Sequence, residues 1–281
     1  MRGAGWLAAL AVAGAANADD TAARWYLRID NDVLMHTDRW YTAGERIARV
    51  KGPWEIAIVQ EIYTPEAKYA NPIDRAPTAR LFASLAHHQA GEGFFQTWEV
   101  DAGVRGPSAL GEQTTRAIHE VITAPHVDWS RQLPDEFDGS LVFARTQSLA
   151  DWLRVHAGAT LGTQVTFAHV GIEGRVGAAA APSSSMLRFA ASPPFAEGAR
   201  GWSGYVGASV RGVARNELIS KSYVAFNPDP TRKDGVVRIA AGFTWQGERG
   251  SVTLDVVQDS REFEEQRTAH RFGSLGLHYA F

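Results

Sequence analysis

Three stretches of this 281-residue chain gather side chains able to do chemistry. The first is Asp30-Asn31-Asp32, followed by Thr37-Asp38-Arg39 and Tyr41-Thr42-Ala43-Gly44. Carboxylate and amide oxygens gathered over so short a span suit a hard cation such as Ca²⁺. The spacing is not that of an EF-hand, other hard cations accept the same donors, and a polar hairpin end has the same composition. The second stretch is Gln60-Glu61-Ile62-Tyr63-Thr64-Pro65, with Asp74-Arg75 beyond it. It reads as a strand ending in a Pro-bounded loop, whose Asp74 and Arg75 can pair with other loops or meet anionic head groups. The third is Gly106-Pro107-Ser108-Ala109-Leu110-Gly111, leading to His119. A histidine titrates near neutrality and can take a proton from a water that attacks an ester. The chain has nine histidines, and residue type alone gives no reason to prefer His119 over a structural role.

The elements that must position these groups are strands. Apolar and polar residues alternate with period two in segment after segment. Over residues 94–104, Trp98, Val100, Ala102 and Val104 share one face, and Thr97, Glu99, Asp101 and Gly103 the other. Leu153, Val155, Ala157, Ala159 and Leu161 oppose Arg154, His156, Gly158 and Thr160. Trp202, Val206, Ala208 and Val210 oppose Ser203, Tyr205, Ser209 and Arg211. Gly/Pro/Asp-rich connections separate these runs, and about twelve strands are expected. One segment breaks the rule. Over residues 112–124, Thr115, Ile118, His119 and Ile122 recur at helical spacing, so a short helix is expected to carry the histidine.

Residues 1–18 read as a secretory signal, with Arg2 at the start, an apolar run over residues 6–16, and the small-x-small pattern Ala16-Asn17-Ala18. The remaining residues, 19–281, read as one domain. There is no cysteine, so a core or a bilayer must hold the fold. The charge balance, 28 basic against 31 acidic residues, leaves no concentrated basic face for a nucleic acid. Beyond the signal no apolar stretch approaches the ~20 residues of a spanning helix. Segments of about ten alternating residues do match a tilted strand crossing a thin bilayer. The last of them places Leu275, Leu277, Tyr279 and Phe281 on one face. Such an aromatic end is similar to the signal read by the outer-membrane barrel assembly machinery. Together these features predict an all-β, transmembrane, antiparallel up-and-down barrel. Trp25, Tyr26, Trp54, Phe94, Phe95, Trp202 and Trp245 stand at strand ends as candidates for interfacial girdles.

In their order, the three chemical stretches resemble the outer-membrane lipid A 3-O-deacylase family (LpxR-like). The resemblance rests on Asn31-Asp32, on Asp38-Arg39-Trp40-Tyr41-Thr42-Ala43-Gly44, on Gln60 through Pro65, on Asp74-Arg75, and on Gly106 through Gly111 before His119. It implies a Ca²⁺-dependent esterase of the Gram-negative outer membrane that removes the 3′-linked acyloxyacyl group of lipid A. It further implies His119 as general base and Asn31 and Asp32 as the calcium and oxyanion site. The hydroxyl of Thr42 belongs to the same site. Lys68, Asp74 and Arg75 correspond to substrate-binding positions. The chain departs from the family where Thr115 replaces a glutamine one turn before the histidine, and where Pro125 falls on an acidic position, with Asp128 nearby. These departures keep a second expectation open, a non-catalytic barrel, porin-like or an inactive family member.

Overall fold

The computed structural model describes residues 23–66, 73–122, 127–177 and 200–280; the expected signal segment, Lys68, Pro125 and Phe281 lie outside them. The described chain forms twelve strands: β1 (Arg24–Asn31), β2 (Trp40–Lys51), β3 (Trp54–Thr64), β4 (Thr78–Gly91), β5 (Phe94–Arg105), β6 (Glu136–Ala150), β7 (Leu153–Gly162), β8 (Val165–Gly177), β9 (Gly201–Asn216), β10 (Gly235–Gln246), β11 (Gly250–Asp259) and β12 (His270–Ala280). Each pairs antiparallel with its neighbours in sequence, and β1 closes the barrel on β12, from Arg24 opposite Ala280 to Asn31 opposite Gly273. One helix, α1 (Gly111–Ile122), interrupts the connection between β5 and β6. No helix among the described residues is long and apolar enough to cross a membrane.

Closure and alternation together turn the protein inside out. On β5, Val100 is 56% exposed and its neighbour Glu99 only 2%. The apolar set faces outward and the charged set inward, as a strand in lipid requires, since closure alone satisfies every backbone donor and acceptor there. Ile47, Ile58, Leu161, Val206 and Leu254 continue the outer apolar band. At its lower edge stand Trp25, Trp54, Trp202 and Trp245, all exposed. Tyr26 and Phe95 do not join this girdle. Each is the inward partner of an adjacent aromatic, and both are buried in the lumen, because successive side chains of a strand cannot share a face.

The lumen is filled by crossing ion pairs. Arg46 reaches Glu55 (2.7 Å) and Glu99 (3.0 Å), Arg80 reaches Glu61 (2.8 Å) and Asp138 (2.7 Å), and Arg238 reaches Asp259 (2.6 Å). Between them remains a polar cavity of about 80 Å³, lined among others by Arg28, Asp30, Glu61, Arg80, Glu99 and Asp101. The two ends differ. At the end bearing the chain termini, β2–β3, β4–β5 and β6–β7 are joined by two residues each. Five of the six longest connections, including the one with α1, lie at the opposite end with all three chemical stretches; the sixth, residues 178–200 between β8 and β9, lies at the end of the termini. Long loops mark the extracellular end of such barrels.

Arg46 gives a direct test of this network. Arg46→Ala removes the cation that Glu55 and Glu99 share in the lumen, leaving His88 beside Glu55 (3.2 Å) and the Ser84 hydroxyl on Glu99 (2.5 Å), and is expected to destabilise the barrel by about 3–5 kcal/mol. Urea titration of the heat-modifiable folded band on a gel checks this. A loss below about 1 kcal/mol would mean that water solvates these carboxylates as well as Arg46 does.

Candidate active site

The site begins in the connection between β1 and β2. After Asn31 the chain enters a 3₁₀ turn (Val33–Met35), which His36 leaves in a left-handed conformation. Asp32 organises the return. Its backbone N–H donates to the Thr42 carbonyl (3.1 Å), while its Oδ2 accepts from the Arg39 backbone N–H (2.8 Å) and the Thr37 hydroxyl (3.3 Å). Asn31 Oδ1 accepts from the Val33 N–H (2.8 Å), closing the turn. A register irregularity between Tyr41 and Ala43 makes Thr42 an extra residue, and its hydroxyl bonds that of Thr64 (2.6 Å). The bulge thus turns Thr42 toward the outer side of β3.

Helix α1 packs on the outside of the wall. Glu61 and Tyr63 face the lumen, where Tyr63 donates to Glu61 (2.8 Å), so Gln60, Ile62 and Thr64 face out. There Ala43, Ile62 and Ala79 pack against Ala109 and Trp129 in one buried cluster. Gln60 anchors the helix start, donating to the Ala109 carbonyl (2.6 Å) and accepting from the Thr114 hydroxyl (3.0 Å). Two glycines of the third stretch are demanded by this approach. Gly106 has φ +116° and a Cβ there would strike Pro134; a Cβ at Gly111 would lie 2.5 Å from Ala79. The helical reading of residues 112–124 is met by Gly111–Ile122. Gly111, Thr115 and His119 form its buried line at i, i+4 and i+8, and Glu112 pairs with Arg116 on the exposed side.

His119 comes down on the β1–β2 connection. Its Nε2 lies 3.9 Å from Asp38 Oδ2. Asp38 Oδ1 and Asp32 Oδ1 are both buried without a hydrogen-bond partner among the described residues. Burial pushes the Asp32 carboxyl up to about 8, with the Asp38 charge adding to the effect and the Arg39 and Thr37 hydrogen bonds opposing it. Asp38 is raised as well, by burial, against the pull of His119. Two buried carboxyls with orphaned oxygens describe a place short of positive charge. Among the described residues, no three His, Asp or Glu side chains converge as a complete metal cage.

The structure therefore brings Asn31, Asp32, Thr42 and, on α1, Thr115 and His119 to the same end of the barrel. It does not bring Asp74 and Arg75 to the outer wall. Asp74 accepts from the backbone N–H groups of Glu66 and Arg75 (2.7 Å each). Arg75, fully buried, lies over the Tyr63 ring, donates to the Leu218 carbonyl (2.9 Å) and sits 3.6 Å from Glu262. Buried there, the two clamp loops together rather than face head groups. Asp128 bonds the Ser130 N–H (2.9 Å) and the Tyr223 hydroxyl (3.2 Å), so it is engaged away from His119. Asp38 holds the acidic place beside the histidine instead. Sequence reasoning had it within a motif but without a role, since only folding reveals its distance to His119.

A polar-lumened barrel with a histidine held between its outer wall and a loop helix is the class that fold and site define. The family model described as outer membrane protein LpxR matches residues 4–281, and the chain belongs to that family. Among solved structures, LpxR from Salmonella typhimurium matches with a TM-score of 0.74 and 16% identity, over 92% of this chain and 100% of that one. The CymD monoaromatic hydrocarbon channel matches at 0.42 and 12%, over 93% and 89%, and the β domain of the Bordetella autotransporter BrkA at 0.43 and 9%, over 92% and 98%. No curated protein sequence matches.

Gln60→Ala removes both side-chain anchors of α1. Amide hydrogen exchange is expected to speed up across residues 109–119 while strands β6–β9 keep their protection, and unchanged exchange in the helix would show that the apolar cluster alone docks it.

Proposed function

We propose that this chain is an outer-membrane esterase that removes the 3′-linked acyloxyacyl group of lipid A, with His119 as general base. The observation that carries this reading is the placement of His119, buried against Asp38 on the outside of the wall. A base there meets a lipid ester without drawing it into the lumen, which the ion pairs occupy. The same packed lumen argues against the porin-like alternative.

His119 takes the proton of a water as its oxygen attacks the ester carbonyl carbon. Asp38, 3.9 Å away, stabilises the imidazolium that forms. As the tetrahedral intermediate collapses, the C–O bond to the sugar breaks and His119 returns the proton to the leaving oxygen. The released products are the carboxylic acid and the sugar hydroxyl. Asn31 has its Oδ1 occupied by the Val33 N–H, which leaves its NH₂ as the group to offer a developing oxyanion. Asp32 and Asp38 are the residues that would hold a Ca²⁺ ion, through carboxylate oxygens left without a hydrogen-bond partner among the described residues. When bound, the ion supplies Lewis-acid polarisation of the carbonyl. The aromatic last strand and the signal-like start support insertion by the barrel assembly machinery after export, with lipopolysaccharide and outer-membrane lipids as the surroundings.

Mass spectrometry of lipid A incubated with the purified barrel and Ca²⁺ tests this. Loss of an acyloxyacyl mass is expected. His119→Ala should slow it by about 10²–10⁴-fold. Undiminished turnover in that variant removes His119 as base, and undiminished turnover in a chelator removes the metal. Asp38→Asn, which keeps shape but loses charge, is expected to cost about 10-fold or more in kcat with the protein still folded. A wild type inert with every divalent ion would favour the non-catalytic family member.

A further inference from the structure

A strained residue sits inside the loop that carries the site. Trp40 opens β2 with a backbone φ of +61°. That left-handed region is rare for a bulky side chain and persists only where the surroundings enforce it. The indole is fully buried, in a cluster with Ile219 and Phe263. It stands edge-on to Phe263, with ring centroids 6.4 Å apart, and to His270 at 5.7 Å. The Arg39 guanidinium covers it at 4.3 Å and is itself tied to Glu66 and to the Thr268 hydroxyl (3.0 Å). Three long connections, β3–β4, β9–β10 and β11–β12, thus close on one ring.

The angle has a geometric consequence. Adjacent residues of a regular strand point to opposite faces. Here Trp40 packs on His270 while Tyr41 packs on Phe272 (5.0 Å), and His270 and Phe272 share one face of β12, stacked at 5.9 Å. The left-handed turn at Trp40 brings both rings to that face. It also sets the direction of the chain before it. Arg39 lays its backbone N–H on Asp32 (2.8 Å), and Asp38 comes to 3.9 Å from His119. In a regular strand Asp38, two residues from Trp40, would share the inward face of the indole and turn away from α1.

We propose that Trp40 is a positioning residue that acts through Asp38. Its buried ring enforces the left-handed backbone, and that backbone holds the Asp38 carboxyl against His119. The inference rests on the esterase reading for what Asp38 does, so turnover is paired with a structural readout. Glycine takes the left-handed angle freely, so Trp40→Gly tests the ring and not the angle. It is expected to lower kcat about tenfold with KM little changed. Trp40→Phe, which keeps an aromatic ring in the cluster, should recover most of the loss. Within Asp38→Asn the same Trp40→Gly change should cost about twofold or less, because a carboxylate that is already gone cannot be misplaced. Amide exchange, read by NMR, should speed up at Arg39 in Trp40→Gly and return toward the wild-type rate in Trp40→Phe. Phe263→Leu loosens the cluster without touching the β1–β2 connection. It should shift exchange and kcat in the same direction, and it carries the same cycle should Trp40→Gly not fold, which the heat-modifiable band reads. Full additivity with Asp38→Asn, an unchanged exchange rate at Arg39, or a Trp40→Phe variant as impaired as Trp40→Gly overturns the proposal. If the wild type cleaves no lipid ester, the esterase reading fails, and the exchange rates at Arg39 alone decide whether the indole holds this loop.

Discussion

A barrel wall in lipid must keep its charges inside and match each of them there. Arg46 of β2 between Glu55 of β3 and Glu99 of β5, and Arg80 of β4 between Glu61 of β3 and Asp138 of β6, meet that requirement by reaching neighbouring and more distant strands alike. Each arginine bonds carboxylates from other strands, so the pairs act across the sheet as well as neutralising one another. The desolvation of such groups is large, and it is offset only when geometry is good and every partner is present. From this follows the division of labour in the molecule. The lumen is given over to holding the barrel, and chemistry on a lipid has to take place on the other side of the wall.

The loops of the long-loop end carry out that transfer. The connection after β5 leaves through Gly106, crosses the rim, and packs Ala109 and Trp129 against the outward faces of β2, β3 and β4, with α1 over β3 and β4. The packing that holds it is apolar, with Gln60 as a polar pin. The helix needs only one buried line, and that line carries Thr115 and His119. Opposite it, the turn after β1 is shaped by Asp32 through its backbone and side-chain bonds. The histidine and the two carboxyls thus meet at a seam between two loops, each stiffened by the wall beneath it. Asp74 and Arg75 belong to the inner side of the same rim, where they tie the β3–β4 loop to Leu218 and Glu262.

The departure from the family pattern at Pro125 has a structural counterpart. Asp128, the nearby acid, is drawn to Ser130 and Tyr223, while Asp38 approaches His119 from the facing loop. A carboxylate beside a histidine can be supplied from any element that reaches it, so its place in the chain is free to differ. Thr115 sits where the spacing puts it, on the buried line one turn before His119.

The sequence by itself determined the barrel. Period-two alternation, the turn signals and the helical break at residues 112–124 are local properties, and they led to about twelve strands and one helix, where the described chain has twelve strands and the helix Gly111–Ile122. The ordered motifs, through their resemblance to the deacylase family, marked Asn31, Asp32, Thr42 and His119. Alternation also separated Glu99 from Val100, since lipid outside and ion pairs inside need only two faces. The tertiary structure alone decided which distant groups meet. That Asp38 rather than Asp128 stands beside His119, and that Arg75 turns inward, both depend on how loops fold back over the rim. Those contacts join residues far apart in sequence through packing and register, and no local pattern of residue types encodes them.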